Sequence, residues 1–247
     1  MENNKLMKYL GGKFANRKEI STFLELQRKK GQVFLEPFCG GCNIVSEMSG
    51  NRIANDVHTS LVMMWQELQN GWIPPTEVSE EEYKIVRKLD DCALKAFVGF
   101  NCSFGAKQWG GYARNLRIND NHVQNCFNSC LRKINKMKNV QFYNKSYLEF
   151  TPKNQLIYCD PPYKGTTEYK GTEKFDHDLF WQTMRKWSKN NTVFVSEYQA
   201  PPDFDCVWQK EKKLKVRSKN GCEVRIEKIF TINEIVLPAT LFLKNIA

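Results

Sequence analysis

Short apolar runs alternate with amphipathic stretches over the first 70 residues of the chain. Residues 32–38 (QVFLEPF) and 52–57 (RIANDV) are the two apolar runs, and each has the length of a buried strand. Residues 42–50 (CNIVSEMSG) and 60–70 (SLVMMWQELQN) carry helical spacing, and each of these stretches meets a glycine that can end a helix. Strand, glycine-rich turn, helix and strand in this order predict the opening of a doubly wound α/β sheet.

The same alternation returns in the second half of the chain. Three further apolar runs predict strands, at residues 139–144 (NVQFYN), 155–160 (QLIYCD) and 192–198 (TVFVSEY). Residues 176–190 have helical spacing, and Asp176 is a suitable N-cap for that helix. These elements continue the α/β pattern of the N-terminal segment.

Two longer strand-like runs follow, at residues 205–218 and 221–233, and Asn220 and Gly221 lie at the junction between them. An Asn-Gly pair between two strand-like runs predicts an antiparallel hairpin. The predicted fold class is therefore α/β, with a Rossmann-like, mostly parallel sheet that ends in an antiparallel hairpin.

Between the two α/β segments, residues 71–139 differ in composition and in hydrophobic spacing. Helical spacing dominates both ends of this stretch, and glycines, aromatics and bases crowd its middle, residues 101–117 (NCSFGAKQWGGYARNLR). That composition is typical of a loop or a ribbon. We predict one domain formed by residues 1–70 and 140–247, with residues 71–139 inserted as a helical subdomain.

Composition places the chain among globular proteins, with 247 residues of which 41% are hydrophobic and 26% charged. The formal net charge of +10 suits a polyanionic partner, because neutralised phosphates release counterions on binding. A basic protein without such a partner is the alternative. No apolar run is long enough to span a membrane, so no membrane association is predicted.

Nine cysteines, an odd number, are scattered through the chain, and its polar and basic start has no secretory signal. Both features favour reduced thiols and a cytoplasmic protein. Cys39 and Cys42 form a Cys-x-x-Cys pair, but the sequence offers only three histidines and no second pair with metal-ligand spacing. No metal site is predicted.

Asp160, Pro161, Pro162 and Tyr163 come at the end of a predicted strand, where open α/β sheets bind their ligands. Two consecutive prolines fix the backbone and remove two N–H donors. The carbonyls of Asp160 and Pro161 are then rigid acceptors beside the flat ring of Tyr163. Such a turn suits a planar group that carries an –NH2, although a proline-rich turn that only caps a strand is the alternative reading.

Three motifs resemble one family of enzymes. Asp160–Tyr163 resembles the catalytic motif of amino-group methyltransferases that use S-adenosylmethionine, and residues 34–41 (FLEPFCGG) resemble their first cofactor motif. Residues 8–13 (KYLGGK) resemble the N-terminal motif of the D12 class of DNA adenine methyltransferases, whose motif order also matches. The resemblance implies a Rossmann-like methyltransferase fold and a metal-free, site-specific transfer, as in restriction–modification systems, of a methyl group from S-adenosylmethionine to the N6 amine of a flipped adenine in double-stranded DNA.

The resemblance also implies roles for individual residues. The catalytic set would be Asp160, Pro161, Pro162 and Tyr163. The cofactor contacts would be Tyr9, Lys13, Glu36, Phe38, Gly40, Gly41, Asp56, Glu149 and Asp160, with the glycines beside the methionine moiety and Asp56 on the ribose hydroxyls. Two of these remain open: Phe38 could instead fill the core, and Glu149 could be a solvated loop acid.

A base within a duplex must be flipped out before it can reach such a pocket, so the distorted duplex has to be held. The basic and aromatic side chains of the insertion suit that task, and together with one N-terminal lysine they are Lys8, Lys107, Trp109, Tyr112, Arg114, Asn115 and Arg117. Trp109 or Tyr112 could fill the gap that the flipped base leaves. The alternative is a flexible basic loop with a core tryptophan.

Other substrates and a non-enzymatic role stay open at this point. The same chemistry could act on adenine in RNA, on N4 of cytosine or on a protein glutamine, and the chain could also be a catalytically dead DNA-binding protein. A cytosine-C5 methyltransferase would need a cysteine nucleophile, usually after proline, and the sequence has no Pro-Cys dipeptide. We expect a monomer or a dimer that forms on DNA.

Overall fold

The computed structural model describes residues 12–114, 121–165, 175–214 and 223–232. The chain divides into two compact units, Met1–Ile157 and Tyr158–Ala247. The strand at Gln155–Cys159 begins in the first unit and ends in the second.

Parallel strands form the sheet of the first unit. They are β1 (Val33–Glu36), β2 (Arg52–Asn55), β3 (Val140–Tyr143) and the first residues of β4 (Gln155–Cys159). Their order is β3-β2-β1-β4, and Phe34 of β1 is level with Arg52 on one side and with Leu156 on the other. The sheet therefore grows in opposite directions on the two sides of β1, and open α/β sheets bind ligands at the carboxyl end of such a switch point.

Helices surround these strands, and several begin at a side chain that accepts a backbone N–H. The helices are α1 (Arg17–Gln27), α2 (Thr59–Gln69), α3 (Glu80–Val86), α4 (Ala93–Asn101) and α5 (His122–Asn135), with short 3₁₀ turns at Phe14–Asn16, Phe104–Ala106 and Tyr147–Glu149. Ser79 and Glu82 form a reciprocal capping box at the start of α3, and Asn121 Oδ1 accepts from Gln124 N–H (3.0 Å) at the start of α5. These caps define where the helices start.

Packing of α4 and α5 against α2 forms the core of the first unit beside the sheet. Trp65 of α2, Phe97 of α4 and Cys130 of α5 are all completely buried. The stretch 71–139 thus belongs to the first compact unit. Its predicted limits as an inserted recognition subdomain stay a prediction.

The helix predicted over residues 42–50 is wrong, because this stretch forms consecutive turns. In an α-helix Val45 N–H would donate to the carbonyl of Gly41. Here Val45 N–H donates to the buried carboxylate of Glu36 (2.7 Å), and the Gly41 carbonyl accepts from the ammonium of Lys133. Charged side chains from other elements have replaced the helical hydrogen bonds, a competition that local spacing does not reveal.

The second unit contains the end of β4, β5 (Thr192–Glu197), β6 (Phe204–Leu214) and β7 (Glu223–Ile232), in the order β4-β5-β7-β6. β7 is antiparallel to both β5 and β6, as the predicted hairpin requires. Helix α6 (His177–Ser188) begins where predicted, with Asp176 Oδ1 accepting from Leu179 N–H (2.9 Å). The predicted turn at Asn220 and Gly221 lies outside the described residues.

The predicted fold class is confirmed: the strands of the first unit are parallel and those after β5 are antiparallel. Among the residues that the structure describes, no helix combines the length and the apolar character needed to cross a bilayer.

Candidate active site

The loop at the carboxyl end of β1, residues Pro37–Gly41, is the centre of the first unit's site, and we call it the glycine loop. Gly40 has a positive φ of +44°, which a glycine adopts without strain. The backbone N–H of Gly40 donates to Asp56 Oδ2 (2.9 Å), and Cys39 N–H donates to the carbonyl of Asn55 (2.8 Å). The carboxyl end of β2 therefore holds the loop in place.

Asp56 is buried at that end of β2 and uses both of its carboxylate oxygens. Oδ2 accepts from Gly40, and Oδ1 accepts from His58 N–H (2.9 Å). Burial raises the pKa of this carboxyl above its ordinary value, and the hydrogen bonds from His58 and Gly40 oppose that rise without cancelling it. Each oxygen has a further lone pair that can accept from another donor.

Two helices support the glycine loop from within the core. Trp65 Nε1 of α2 donates to the carbonyl of Gly40 (3.1 Å). Lys133 Nζ of α5 donates to the carbonyl of Gly41 (2.5 Å) and to Asn43 Oδ1 (2.9 Å), and burial lowers the pKa of this ammonium. The loop carbonyls thus have fixed partners, and the loop is held by an aspartate on one side and a lysine on the other.

Sequence reasoning missed Lys133 as a site residue, although its position carried a signal. Cys126, Cys130 and Lys133 are spaced four and three residues apart, and all three are buried on one face of α5. A lysine on the apolar face of an amphipathic helix is almost never buried without a partner. The position therefore predicts a buried hydrogen-bond acceptor close to the Lys133 ammonium.

The remaining predicted cofactor residues of the first unit have clear places. Glu36 is only 3% exposed and accepts from Val45 N–H, and Lys13 is also buried. The half-buried ring of Phe38 lies 5.1 Å from that of Tyr147. Glu149 is exposed, and its Oε1 accepts from Ser146 N–H (2.8 Å), so it caps a short turn. Tyr9 lies outside the described residues.

These groups fit the chemistry of S-adenosylmethionine. The carboxylate of Asp56 at the carboxyl end of β2 matches a diol, a glycine with positive φ lets a ligand approach the backbone, and Phe38 offers an aromatic surface. Among the described residues, no cluster of three or more histidine, cysteine or acidic side chains is arranged to hold a metal ion.

In the second unit, Asp160–Tyr163 forms the turn after β4, and we call it the proline turn. Tyr163 is fixed by its neighbours: its hydroxyl donates to Ser196 Oγ (2.9 Å), Glu227 Oε2 lies 3.3 Å away as a further acceptor, and Tyr198 meets its ring edge-on at 4.7 Å. Burial raises the pKa of Tyr163 well above its ordinary value, and the charges of Asp160 and Glu227 add to the rise. The phenol is therefore neutral.

Strand β5 also anchors the residue after the turn. Glu197 accepts from Lys164 N–H (3.1 Å) and from Tyr198 N–H (2.7 Å), and it is buried. The strand predicted at residues 192–198 includes Glu197 near its end, but sequence reasoning missed Glu227. The missed signal is the alternation along β7, where Glu227, Ile229 and Thr231 are all buried on one face.

Four of the predicted DNA-contacting residues, Lys107, Trp109, Tyr112 and Arg114, lie in or just after residues Ser103–Tyr112, which we call the ribbon loop. Lys107 and Arg114 are exposed, and Arg114 Nη2 pairs with Glu80 Oε2 (2.7 Å). The rings of Trp109 and Tyr112 pack against Tyr83 at 5.1 and 5.7 Å. Lys8, Asn115 and Arg117 lie outside the described residues, so the structure says nothing of them.

Solved structures similar in shape are methyltransferases or are described as such. They include a candidate RNA methyltransferase from Pyrococcus horikoshii (10% identity, 88% of this chain and 84% of that one, TM-score 0.41). Another is a candidate rRNA methylase from Clostridium thermocellum (8% identity, 87% of this chain and 96% of that one, TM-score 0.39). A third is the tRNA methyltransferase TrmI from Aquifex aeolicus (11% identity, 88% of this chain and 68% of that one, TM-score 0.36). Similarity this weak carries no argument. Curated protein sequences show no significant match.

The family comparison is decisive. The model of the D12 class N6 adenine-specific DNA methyltransferases matches residues 9–91 and 77–219. These ranges contain the glycine loop, the ribbon loop and the proline turn, and they cover most of the chain. The resemblance to this family is thereby confirmed, and the chain belongs to the D12 class N6 adenine-specific DNA methyltransferase family.

Proposed function

We propose that this methyltransferase transfers a methyl group from S-adenosylmethionine to the N6 amine of a flipped adenine at specific sites in double-stranded DNA. The proline turn is the observation that carries the proposal. Pro161 and Pro162 have no N–H, so the backbone there offers acceptors, and the one phenol of the turn is already engaged within the protein. Family membership supports the same substrate.

The turn's acceptors act on an amine that is a poor nucleophile. The lone pair of N6 is conjugated with the purine ring, and accepting both hydrogens, by the Asp160 carboxylate and the carbonyl of Pro161, favours a tetrahedral nitrogen. S-adenosylmethionine, when bound, supplies an electrophilic methyl group and becomes a neutral thioether as the new C–N bond forms. Positive charge grows on N6 during this step, and the acceptors of the turn stabilise it. The Asp160 carboxylate, which already accepts a hydrogen bond from N6, then takes the proton that N6 loses and releases it to solvent.

Tyr163 contributes a surface for stacking. Its pKa is raised well above the ordinary value, so the phenol stays protonated at neutral pH and cannot take the N6 proton. Its hydroxyl is held by Ser196, which fixes the ring plane. Stacking of one base on an aromatic ring is worth about 1–3 kcal/mol, enough to hold an extruded adenine.

The first unit supplies the cofactor contacts in this proposal. Asp56 orients the glycine loop and accepts from ribose hydroxyls, and Gly40 and Gly41 let the methionine moiety approach the backbone. Further contacts are assigned to Tyr9, Lys13, Glu36, Phe38 and Glu149. The duplex contacts are assigned to Lys8, Lys107, Trp109, Tyr112, Arg114, Asn115 and Arg117. We propose that the enzyme acts in the cytoplasm as a monomer or a DNA-induced dimer.

The decisive experiment is methylation of a plasmid by the purified protein with methyl-labelled S-adenosylmethionine, followed by mapping of the modified bases. We expect label on N6 of adenine within one short sequence. Label only on cytosine, only in RNA added as competitor, or on protein would contradict the proposal.

A variant pair tests the role of the proline turn. Asp160→Ala should abolish methyl transfer and leave duplex binding almost unchanged, because the phosphate contacts lie elsewhere in the proposal. Asp178→Ala, which removes an exposed acid in the same unit, is the matched control and should keep full activity. Equal loss of transfer and binding in Asp160→Ala would mean that the residue has another role.

A further inference from the structure

A side chain of the ribbon loop is held by a residue that lies outside the loop. His58, which precedes α2, places its ring Nε2 3.1 Å from Oε1 of Gln108. Both residues are half-buried. Neither of them belongs to the catalytic, cofactor or duplex contacts assigned above, so their hydrogen bond calls for a separate explanation.

The second ring nitrogen of His58 shows which partner donates. His58 is the N-cap of α2, and its Nδ1 accepts from Leu61 N–H (3.3 Å). A neutral imidazole whose Nδ1 accepts carries its proton on Nε2. Nε2 therefore donates, and its partner is the oxygen of the Gln108 amide rather than the NH2 group.

Further contacts fix the His58 ring in this orientation. The backbone N–H of His58 donates to Oδ1 of the buried Asp56 (2.9 Å). The ring also meets that of Phe100 in α4 edge-on, with 5.3 Å between the centroids, and Phe100 is completely buried. A ring held by its backbone, by the cap and by a core aromatic keeps the same nitrogen toward Gln108.

Gln108 lies between the exposed Lys107 and the packed Trp109. Its Cγ would be 3.3 Å from a Cβ at Gly99, and Trp109 N–H donates to the carbonyl of Gly99 (3.2 Å), so the stem of Gln108 lies against α4. Within the described residues, the bond to His58 is the one hydrogen bond of the Gln108 side chain. With its oxygen engaged, the amide offers its two N–H donors to a ligand.

The bases of a duplex differ in whether their edges accept or donate. In the major groove guanine presents O6 and N7 and thymine presents O4 as acceptors, whereas cytosine presents its N4 amino group as a donor. An amide that offers only donors favours guanine or thymine and disfavours cytosine. The exposed Lys107 beside Gln108 and the net charge of +10 suit a duplex, because lysines that contact phosphates fix the register of the bases.

We propose that His58 is a positioning residue for DNA specificity: it fixes the Gln108 amide so that the NH2 group reads guanine or thymine at one position of the recognised sequence. The proposal rests on the proposed function. His58 itself touches neither the duplex nor the reacting atoms. Without this partner the amide can turn over and present its oxygen instead, and the distinction between accepting and donating base edges is lost.

Substitution of Gln108 tests whether its amide reads a base. Once the site has been mapped on the plasmid, a set of duplexes carries each base pair of the site and its flanks, except the target pair, replaced in turn by the other three. Gln108→Glu offers acceptors only, so at one position the preference in kcat/KM should reverse toward cytosine. The ratio of kcat/KM between the two base pairs should change by roughly five- to a hundredfold, the range for one misread base pair.

Substitution of His58 tests whether it acts through Gln108. His58→Asn keeps a good capping side chain for α2 but is too short to reach Gln108. It should flatten the preference at the position that Gln108→Glu reverses and leave the preference at every other position unchanged. His58→Ser, a second capping side chain, should give the same flattening and provides an independent measure if one variant folds poorly.

A matched control and the possible outcomes separate this role from a structural one. Gln182→Glu makes the same exchange at an exposed position of α6 and should leave every preference unchanged. An equal decrease of kcat/KM on all duplexes in the His58 variants, or no change of preference in any variant, overturns the inference and leaves the proposed function intact. Wild-type protein that labels adenine in none of the duplexes overturns the proposed function itself.

Discussion

Two glycine-containing loops of the first unit are stabilised by different kinds of interaction. The glycine loop (Pro37–Gly41) is almost wholly buried, and charged side chains bind its backbone, with Asp56 on an N–H and Lys133 on a carbonyl. The ribbon loop (Ser103–Tyr112) is mostly exposed at its tip, and neutral groups hold its base, namely hydroxyls and the rings of Tyr83 and Trp109.

This difference matches what each loop presents. A loop that offers its backbone to a ligand must keep its own carbonyls and N–H groups in fixed directions, and buried charges do this strongly because the local dielectric is low. A loop that offers a side chain needs only a firm base, for which packing and neutral hydrogen bonds suffice. Substitutions in the buried glycine loop should therefore alter stability more than substitutions in the ribbon loop.

Lys133→Met should have the largest effect, because it leaves the Gly41 carbonyl and Asn43 Oδ1 buried without a donor. The free energy of unfolding should fall by about 2–5 kcal/mol, and affinity for S-adenosylmethionine should fall with it. Chemical denaturation and titration calorimetry measure the two quantities.

Arg132→Met, at the neighbouring exposed position, is the matched control. It should change neither the free energy of unfolding nor the affinity for S-adenosylmethionine. Equal stability of Lys133→Met and the wild type would show that the ammonium is not what holds the glycine loop.

Gly99→Ala tests the packed base of the ribbon loop. A Cβ at this position would lie 2.8 Å from Trp109 Cζ2, so the indole ring must move and the loop with it. Overpacking of this kind lowers the free energy of unfolding by about 1–3 kcal/mol. Duplex affinity, measured by fluorescence anisotropy, should fall, while cofactor affinity should stay at the wild-type level. A parallel loss of cofactor affinity would mean that the two loops are not held independently.

The pH dependence of stability should depend on the glycine loop. Burial raises the pKa of Asp56 above its ordinary value of 3.8, so the folded state holds this proton more tightly than the unfolded chain. Its contribution to stability is complete below that value and is lost as the pH rises through the raised pKa. In Asp56→Asn, the free energy of unfolding should no longer show this decrease with rising pH, as urea denaturation over a pH series would measure.

An unchanged pH profile of Asp56→Asn would show that the carboxyl titrates at its ordinary value. Because neutral groups hold the ribbon loop, Ser103→Ala should lower the free energy of unfolding by the same amount at every pH.

The exposed pair of Glu80 and Arg114 should have the smallest effect on stability. Their side chains are 31% and 73% exposed, and solvent screens such pairs, so Glu80→Gln should leave the unfolding midpoint unchanged. Duplex affinity at low salt should rise, because Arg114 becomes free to meet phosphate, and Arg114→Ala should lower it. Identical duplex affinity of both variants across a salt series would remove Arg114 from the DNA surface.

The strands and most helices followed from local pattern. Apolar runs of strand length, the cap at Asp176 and the Asn-Gly pair between the last two strand-like runs were each sufficient, because the information lies within a few residues of the element. The proline turn could also be predicted, because Pro161 and Pro162 fix the backbone φ and lack an N–H whatever surrounds them. The helix predicted over residues 42–50 was wrong because distant charges took over its hydrogen bonds.

Local sequence was enough to set the order of the elements, the acceptor-rich proline turn and the motifs of the family. Tertiary packing selected the side chains that hold the two loops, and it gave Lys133, Glu227 and Ser103 roles that no motif predicted. The physical reason is that a buried polar group must find a partner, and the partner's identity depends on which elements the fold brings together. Local periodicity shows that a residue will be buried, whereas its hydrogen-bond partner is decided by packing between segments far apart in the chain.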